Sequence, residues 1–369
     1  MRILFVNHAF PGTFGALAAD FAAAGHDVLF ASGFRRREFS LPGVRHITLA
    51  PPKESRSAGG SRHAPGLDAA LSAGGQALHA FMRLADMGLA PDMAVLSASD
   101  GYGLFCPEAF PHAFCAGWAE SAAFVGAGVR GEVAFARHLL QCRYAVSCNA
   151  FICTGFGERS LFSSRLTHGQ DAPCAVNTEW FSPGEAGGPE LALFYTGRMG
   201  AEDAVHTVAA LLEARGRCHA AVLCEGRAVW ERWKEAREAM PQKARLHLPG
   251  TLSLAEYRNL LRAASLLVCV PGSAVPASTL LEAMSAGAAP VLAPEEGPAF
   301  LRHEKNAFFF RGEDTAAFLA SLLEARAALA FVRSGARAAV LARFEQKKAT
   351  QKHVRLLLEA FEAWKKDSR

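Results

Sequence analysis

Residues 1–30 read MRILFVNHAFPGTFGALAADFAAAGHDVLF, and this stretch decides the fold class. RILFV is an apolar run without helical periodicity, which predicts a buried parallel strand. The loop NHAFPGTFG follows, and the alanine-rich segment GALAADFAAAGH predicts a helix with Gly25 at its carboxyl end. DVLFAS predicts the next buried strand. A strand, a loop, a helix and a strand in this order form the repeating unit of a doubly wound parallel sheet.

The same alternation continues along the chain and restarts once. The segment SPGEAGGPE, at residues 182–190, interrupts it, and strand and helix signals then resume with LALFYTG. We therefore expect an α/β protein with two Rossmann-like domains facing each other across a cleft. The first covers residues 1–182 and the second residues 183–349. Residues 350–369 are amphipathic and predict a terminal helix that packs back on the first domain.

Composition limits the classes of protein to consider. The chain has 369 residues, 51% of them hydrophobic, which suits two domains with large cores. A net charge of +4 is too small to indicate nucleic acid binding, but it is compatible with a nucleotide diphosphate or with peripheral contact at an acidic membrane.

The cysteines and histidines of the chain indicate where the protein works and whether it binds a metal ion. Nine cysteines without CxxC pairs predict reduced thiols in a cytoplasmic protein, either free in the cytoplasm or at the inner face of the membrane. The thirteen histidines form neither H-x-H nor H-E-x-x-H, so we expect no metal site. The chain starts directly with a strand, and no run approaches the roughly 18 apolar residues of a membrane span.

The segment TLLEAMSAGAAPVLA, at residues 279–293, carries the strongest site signal. Thr279 and Glu282 have the spacing of a capping box, in which Glu282 closes the start of a helix. A carboxylate at the carboxyl end of a strand also suits a ribose, because its two oxygens accept hydrogen bonds from a vicinal diol. Spacing alone leaves both readings open.

Four segments in the same order resemble the family 4 glycosyltransferases. They are residues 1–30, the segment VNTEWFSPG at 176–184, FYTGR at 194–198, and LLEAMSAG followed by PVLA at 280–293. The resemblance implies the GT-B fold, a nucleoside diphosphate sugar as donor substrate, no further cofactor, and retention of anomeric configuration. It also implies that Glu282 binds the ribose of the donor.

The resemblance implies that Arg198 holds the donor diphosphate and acts in catalysis, because fixed positive charge stabilises the leaving group. The chain departs from the family at two positions: Asp203 stands where a lysine is expected, and Ala274 where a first glutamate is expected. Arg302, His303 or Lys305 could supply the missing cation. The amide groups near Ser278 and Thr279, at a helix start, could bind phosphate.

Three positions belong to the first domain. Gly12 and Gly15 either serve turn geometry or allow the loop to approach the donor. Asp100 follows a predicted strand and either contacts the sugar or acceptor, as a second catalytic candidate, or caps a loop in an Asx turn. Glu120 has the same two readings.

The predicted function is transfer of a sugar from a UDP- or GDP-linked donor to a polysaccharide, a lipid-linked glycan or a protein, in bacterial glycan biosynthesis. One alternative is a non-catalytic relative that serves as a binding or scaffold protein; Asp203 and Ala274 favour it, while Glu282 and Arg198 count against it. A second alternative is a sugar-nucleotide epimerase of GT-B architecture. That enzyme needs several acids and histidines in the cleft, which the sequence does not place.

Overall fold

The chain forms two compact units. In the computed structural model, the first unit comprises Met1–Cys174 and Lys347–Arg369, and the second Ala175–Gln346. The residues that the structure describes are 1–35, 39–51, 65–120, 132–154, 169–184, 190–197, 201–224, 226–270, 275–294, 297–310 and 314–367.

The second unit begins before residue 183, because the segment ahead of that position packs on elements of the second unit. The Ser285 hydroxyl donates a hydrogen bond of 2.6 Å to the carbonyl of Phe181. Arg337 donates to the same carbonyl at 3.3 Å. Val176 pairs with Glu345 in an isolated bridge.

A seven-stranded parallel sheet forms the centre of the first unit, in the order β3-β2-β1-β4-β5-β6-β7. Its strands are β1 Arg2–Phe10, β2 Asp27–Arg35, β3 Val44–Thr48, β4 Met93–Ser97, β5 Phe114–Ala119, β6 Ala150–Thr154 and β7 Gly169–Ala172. The helices are α1 Gly15–Ala23, α2 Pro65–Asp86, α3 Cys106–Ala109, α4 Glu132–Ser147 and α11 Gln346–Asp367.

Both faces of this sheet are covered. Leu4 and Val6 belong to an apolar cluster that includes Phe81 of α2, whereas Ile3 and Phe5 belong to a cluster on α1 and α11. Successive strand side chains point to opposite faces, so burial of both faces gives the continuous apolar run seen in the sequence.

The terminal helix α11 belongs to the first unit. The rings of Phe361 and Trp364 each lie 5.7 Å from that of Phe114 in β5. Nε2 of His353 hydrogen-bonds the carbonyl oxygen of Pro173 at 2.7 Å. Burial lowers the pKa of His353 to about 4, so this imidazole is neutral in the folded protein.

The second unit repeats the design with six parallel strands, in the order β10-β9-β8-β11-β12-β13. Its strands are β8 Glu190–Gly197, β9 Cys218–Cys224, β10 Leu246–His247, β11 Ala264–Cys269, β12 Ala289–Leu292 and β13 Phe308–Phe309. The helices are α5 Ala201–Ala214, α6 Arg227–Ala239, α7 Leu254–Ala263, α8 Ala277–Ser285, α9 Thr315–Glu324 and α10 Arg326–Arg343.

Counted within its own unit, each sheet contains the strand order 3-2-1-4-5-6 of the dinucleotide-binding fold. The order reverses between β1 and β4 in the first sheet and between β8 and β11 in the second. Ligands of such sheets bind beyond the carboxyl ends of the strands at this switch point. The expected class, two Rossmann-like α/β domains, is confirmed.

Among the described helices, none is by itself long and apolar enough to cross a membrane, and only the bent pair α9 and α10 meets the length and composition criteria together.

Candidate functional site

At the switch point of the first unit, a carboxylate joins two strand ends. The backbone amide of His8, in β1, donates to Oδ2 of Asp100 at 2.9 Å. The amide of Tyr102 donates to Oδ1 at 2.9 Å, two residues along the chain, which is an Asx turn. Asp100 therefore has the loop-capping contacts that its sequence context allowed, and its predicted catalytic role remains a prediction.

The ionisation of Asp100 reflects its surroundings. Burial raises the pKa of its carboxyl from 3.8 to about 6, against the opposing effect of hydrogen bonds from the Tyr102 and His8 amides and from Ser97. The charge of Glu120 adds to the increase in pKa. A carboxyl group with this pKa is partly protonated near pH 6.

The two glycines of the first loop are explained by close packing. Gly12 has a φ of +46°, and a Cβ there would lie 2.5 Å from the carbonyl oxygen of Ala9. A Cβ on Gly15 would lie 2.7 Å from Cβ of Pro11. Chain geometry alone thus requires both glycines, and their predicted contact with the donor stays a prediction.

The same edge carries polar side chains that extend the set predicted from sequence. The Thr13 hydroxyl donates a hydrogen bond to Oε1 of Glu120, beyond the end of β5. His8 is exposed, and its ring lies 6.1 Å from that of Tyr102. Sequence reasoning missed His8; its position just after the buried run RILFVN was the available signal. Together, His8, Thr13, Asp100 and Glu120 form a polar edge.

In the second unit, Glu282 does not cap a helix. The helix α8 begins at Ala277 with Pro276 at its N-cap, and no side chain caps it. Thr279 and Glu282 are the third and sixth residues of α8, so the capping-box reading is wrong. The half-buried Glu282 instead accepts, at Oε2, a hydrogen bond of 2.9 Å from the phenol of Tyr257 in α7.

Two further contacts hold the Tyr257 side chain in place. Its ring meets that of Phe181 edge-on at 6.1 Å, and its phenol also hydrogen-bonds the Thr279 side chain. Burial raises the pKa of Tyr257 well above its usual value, and the negative charge of Glu282 raises it further. The phenol therefore keeps its proton and serves as a neutral donor to the carboxylate.

The start of α8 has the geometry expected of an anion site. Ser278 is exposed and Thr279 is half-buried on its first turn, which has no side-chain cap. Amides at such a helix start point their N–H bonds outward, where the helix dipole favours negative charge. Since α8 follows β11, these amides lie at the switch-point side of the second sheet.

The structure describes only some of the predicted cations and of the two positions that depart from the family pattern. Arg198 and Ala274 lie outside the described residues, and Asp203 lies in α5 with its side chain outside them. The candidates Arg302, His303 and Lys305 are exposed in the turn that leads into β13, at the amino end of a strand. His303 also accepts the amide of Phe309 at Nδ1, at 3.0 Å. Their predicted contact with the diphosphate stays a prediction.

No group of three or more His, Cys, Asp or Glu side chains within the described ranges could hold a metal ion.

Comparisons with known proteins identify the family of this chain. Residues 24–137 match the model described as glycosyl transferase family 4 group, and residues 190–327 match the one described as glycosyl transferases group 1. No curated protein matches the chain at a significant level.

Solved structures resemble the whole chain. A sucrose-phosphate synthase from Thermosynechococcus elongatus superposes with a TM-score of 0.75 at 18% identity, over 98% of this chain and 100% of that one. HepE from Anabaena, in complex with UDP and glucose, gives 0.69 at 13% identity, over 97% and 100%. A glycosyltransferase from Rickettsia africae gives 0.65 at 12% identity, over 97% and 98%. With a family match in each unit and this fold throughout, the chain belongs to the family 4 glycosyltransferases, enzymes of the GT-B fold.

Proposed function

We propose that the second unit binds a nucleoside diphosphate sugar and that the enzyme transfers its glycosyl group to an acceptor bound by the first unit. The observation that carries this proposal is the position of Glu282, held by Tyr257 on the helix that follows the switch-point strand β11. Anabaena HepE, which shares the fold, was solved with UDP and with UDP-glucose, which supports a nucleotide sugar as donor.

Each part of such a donor has a chemical partner in the second unit. The Glu282 carboxylate suits the ribose diol, because two acceptor oxygens match two hydroxyl donors. The uncapped start of α8 near Ser278 and Thr279 suits the diphosphate. Arg198 would add positive charge where the leaving group develops negative charge, so the reaction would need no metal. Retention of anomeric configuration rests on the family resemblance.

The polar edge of the first unit suits an acceptor hydroxyl. His8, Asp100 and Glu120 bring an imidazole and two carboxyl groups to the ends of β1, β4 and β5. Such groups bind and deprotonate hydroxyls. We infer a glycan, a lipid-linked glycan or a protein as acceptor. We also infer a cytoplasmic enzyme, which is supported by its nine cysteines all being thiols.

Calorimetric titration with UDP, GDP and ADP tests the donor site, without added metal and with EDTA. We expect one of these nucleotides to bind, and Glu282→Ala to weaken it by about 1–3 kcal/mol, the usual cost of losing charge-assisted hydrogen bonds. Glu282→Gln, which keeps the shape and loses the charge, should give a smaller loss.

Glu324→Ala provides the matched control. It removes an exposed carboxylate from α9 of the same unit, where its partner is Arg215, and should leave nucleotide affinity unchanged. If none of the three nucleotides binds, or if Glu282→Ala binds as tightly as the native protein, the assignment of the donor site is wrong.

A further inference from the structure

The bond between Tyr257 and Glu282 joins two helices of the second unit. The phenol, in α7, donates to a carboxylate in α8 that lies 25 residues further along the chain. A glutamate side chain has several rotatable bonds, and fixing them costs free energy when a ligand binds. A hydrogen bond made before binding removes part of this cost, because the carboxylate is already oriented.

Tyr257 is well placed to hold another side chain, because rigid elements hold it in turn. Ser253 and Glu256 form a capping box that fixes the first turn of α7, directly before Tyr257. The ring packs edge-on against Phe181. The carbonyl of Phe181 accepts hydrogen bonds from Ser285 and from Arg337, so the segment that supports the tyrosine is itself tied to α8 and α10.

The chemistry of a phenol suits this task better than that of a cation. An arginine or lysine beside Glu282 would neutralise the carboxylate and compete with a ligand for it. A phenol offers one hydrogen bond, carries no charge, and leaves the carboxylate negative. Burial keeps this phenol protonated, so it remains a donor across the neutral pH range.

We propose that Tyr257 is the positioning residue of the donor site, fixing the Glu282 carboxylate in the orientation that receives the donor ribose. The proposal rests on the proposed function, which gives the ribose to Glu282. It assigns Tyr257 no contact with the substrate; the tyrosine acts through the glutamate. Loss of the phenol should therefore weaken nucleotide binding only while Glu282 is present.

A double-mutant cycle measured by UDP titration tests this dependence, with GDP or ADP as the probe if the native enzyme prefers one of them. Tyr257→Phe keeps the ring against Phe181 and removes only the hydroxyl. We expect it to weaken nucleotide binding about fivefold to tenfold, and Glu282→Ala to weaken it more. The double variant should match Glu282→Ala alone within about twofold, since the tyrosine then has no carboxylate to hold.

Two further variants separate positioning from folding. Tyr144→Phe removes another buried tyrosine hydroxyl, which donates to the Asp100 carbonyl in the first unit, and should leave nucleotide affinity unchanged. Thr279→Val removes the second hydrogen bond of the Tyr257 phenol but keeps the α8 amide, and should weaken binding about twofold. Urea unfolding of each variant shows whether folding is retained. In steady-state assays, Tyr257→Phe should raise the donor KM and change kcat little.

The outcomes separate the two proposals. If Glu282→Ala weakens binding but Tyr257→Phe does not, or if Tyr257→Phe weakens binding equally in the Glu282→Ala background, the positioning role is refuted and the donor site stands. If UDP binds and Glu282→Ala has no effect, both proposals fail. Stability loss in Tyr257→Phe with unchanged nucleotide affinity would show a purely structural bond and refute the positioning role.

Discussion

The two switch points of the molecule have the same topology but hold their key carboxylates differently. In the first unit, the Asp100 carboxylate accepts backbone amides, one of them only two residues away. In the second, Glu282 accepts a side-chain phenol from a different helix. A carboxylate bonded to amides ties strands together at its own position. A carboxylate held by a side chain can be oriented for a ligand. Each half of this comparison can be tested by substitution.

The largest expected effect tests the tight packing at the first switch point. A Cβ on Gly101, beside Asp100, would lie 1.9 Å from the carbonyl oxygen of Ala70 in α2. Gly101→Ala should therefore lower the free energy of unfolding by about 3 kcal/mol or more, because backbone must shift. Gly75 also lies in α2, but an added Cβ there meets no atom within 4 Å, so Gly75→Ala should raise the free energy of unfolding by up to about 1 kcal/mol. Urea denaturation measures both, and a Gly101→Ala variant of native stability would contradict the packing.

The next effect is the pH dependence caused by Asp100. Its pKa is raised to about 6, so the folded state holds the proton more tightly than the unfolded chain. Its contribution to stability is therefore present below about pH 4 and is lost as the pH rises through about 6. Relative to Asp100→Asn, the native protein should lose about 2 kcal/mol of unfolding free energy between pH 4 and 6.5. Urea titrations at several pH values measure this difference, and a constant difference would contradict the raised pKa.

A smaller effect concerns the support behind the second switch point. Ser285 is fully buried and donates to the carbonyl of Phe181 at 2.6 Å. Ser285→Ala should lower the free energy of unfolding by about 1 kcal/mol, the net value of a buried hydrogen bond. Ser321→Ala removes an exposed hydroxyl that bonds only its own helix turn, and should change stability by less than about 0.5 kcal/mol. Equal effects of the two variants would show that Phe181 is not held by Ser285.

The smallest effect tests whether backbone alone carries the contact at the first switch point. His8 bonds Asp100 through its amide, and its side chain is exposed. His8→Ala keeps that amide, so stability should change by less than about 0.5 kcal/mol. A loss above 1 kcal/mol, measured in the same way, would show that the imidazole itself supports this edge.

The architecture was predictable because it depends on local patterns. Apolar runs such as RILFV and LALFYTG became the central strands β1 and β8, and Gly25 follows the end of α1 with a φ of +82°. The strand β7, with the polar sequence GQDA, and the four-residue helix α3 carry no such local pattern.

The site was predictable only in part. The sequence by itself determined two successive blocks of alternating strands and helices and singled out Glu282 as a candidate, because hydrophobic periodicity and a family pattern are properties of neighbouring residues. The tertiary structure decided the rest: that α8 starts at Ala277 rather than at a capping box, that His8 reaches the Asp100 edge, and that Tyr257 holds Glu282. These contacts join residues far apart in sequence, and only the packing of helices and strands brings them within hydrogen-bonding distance.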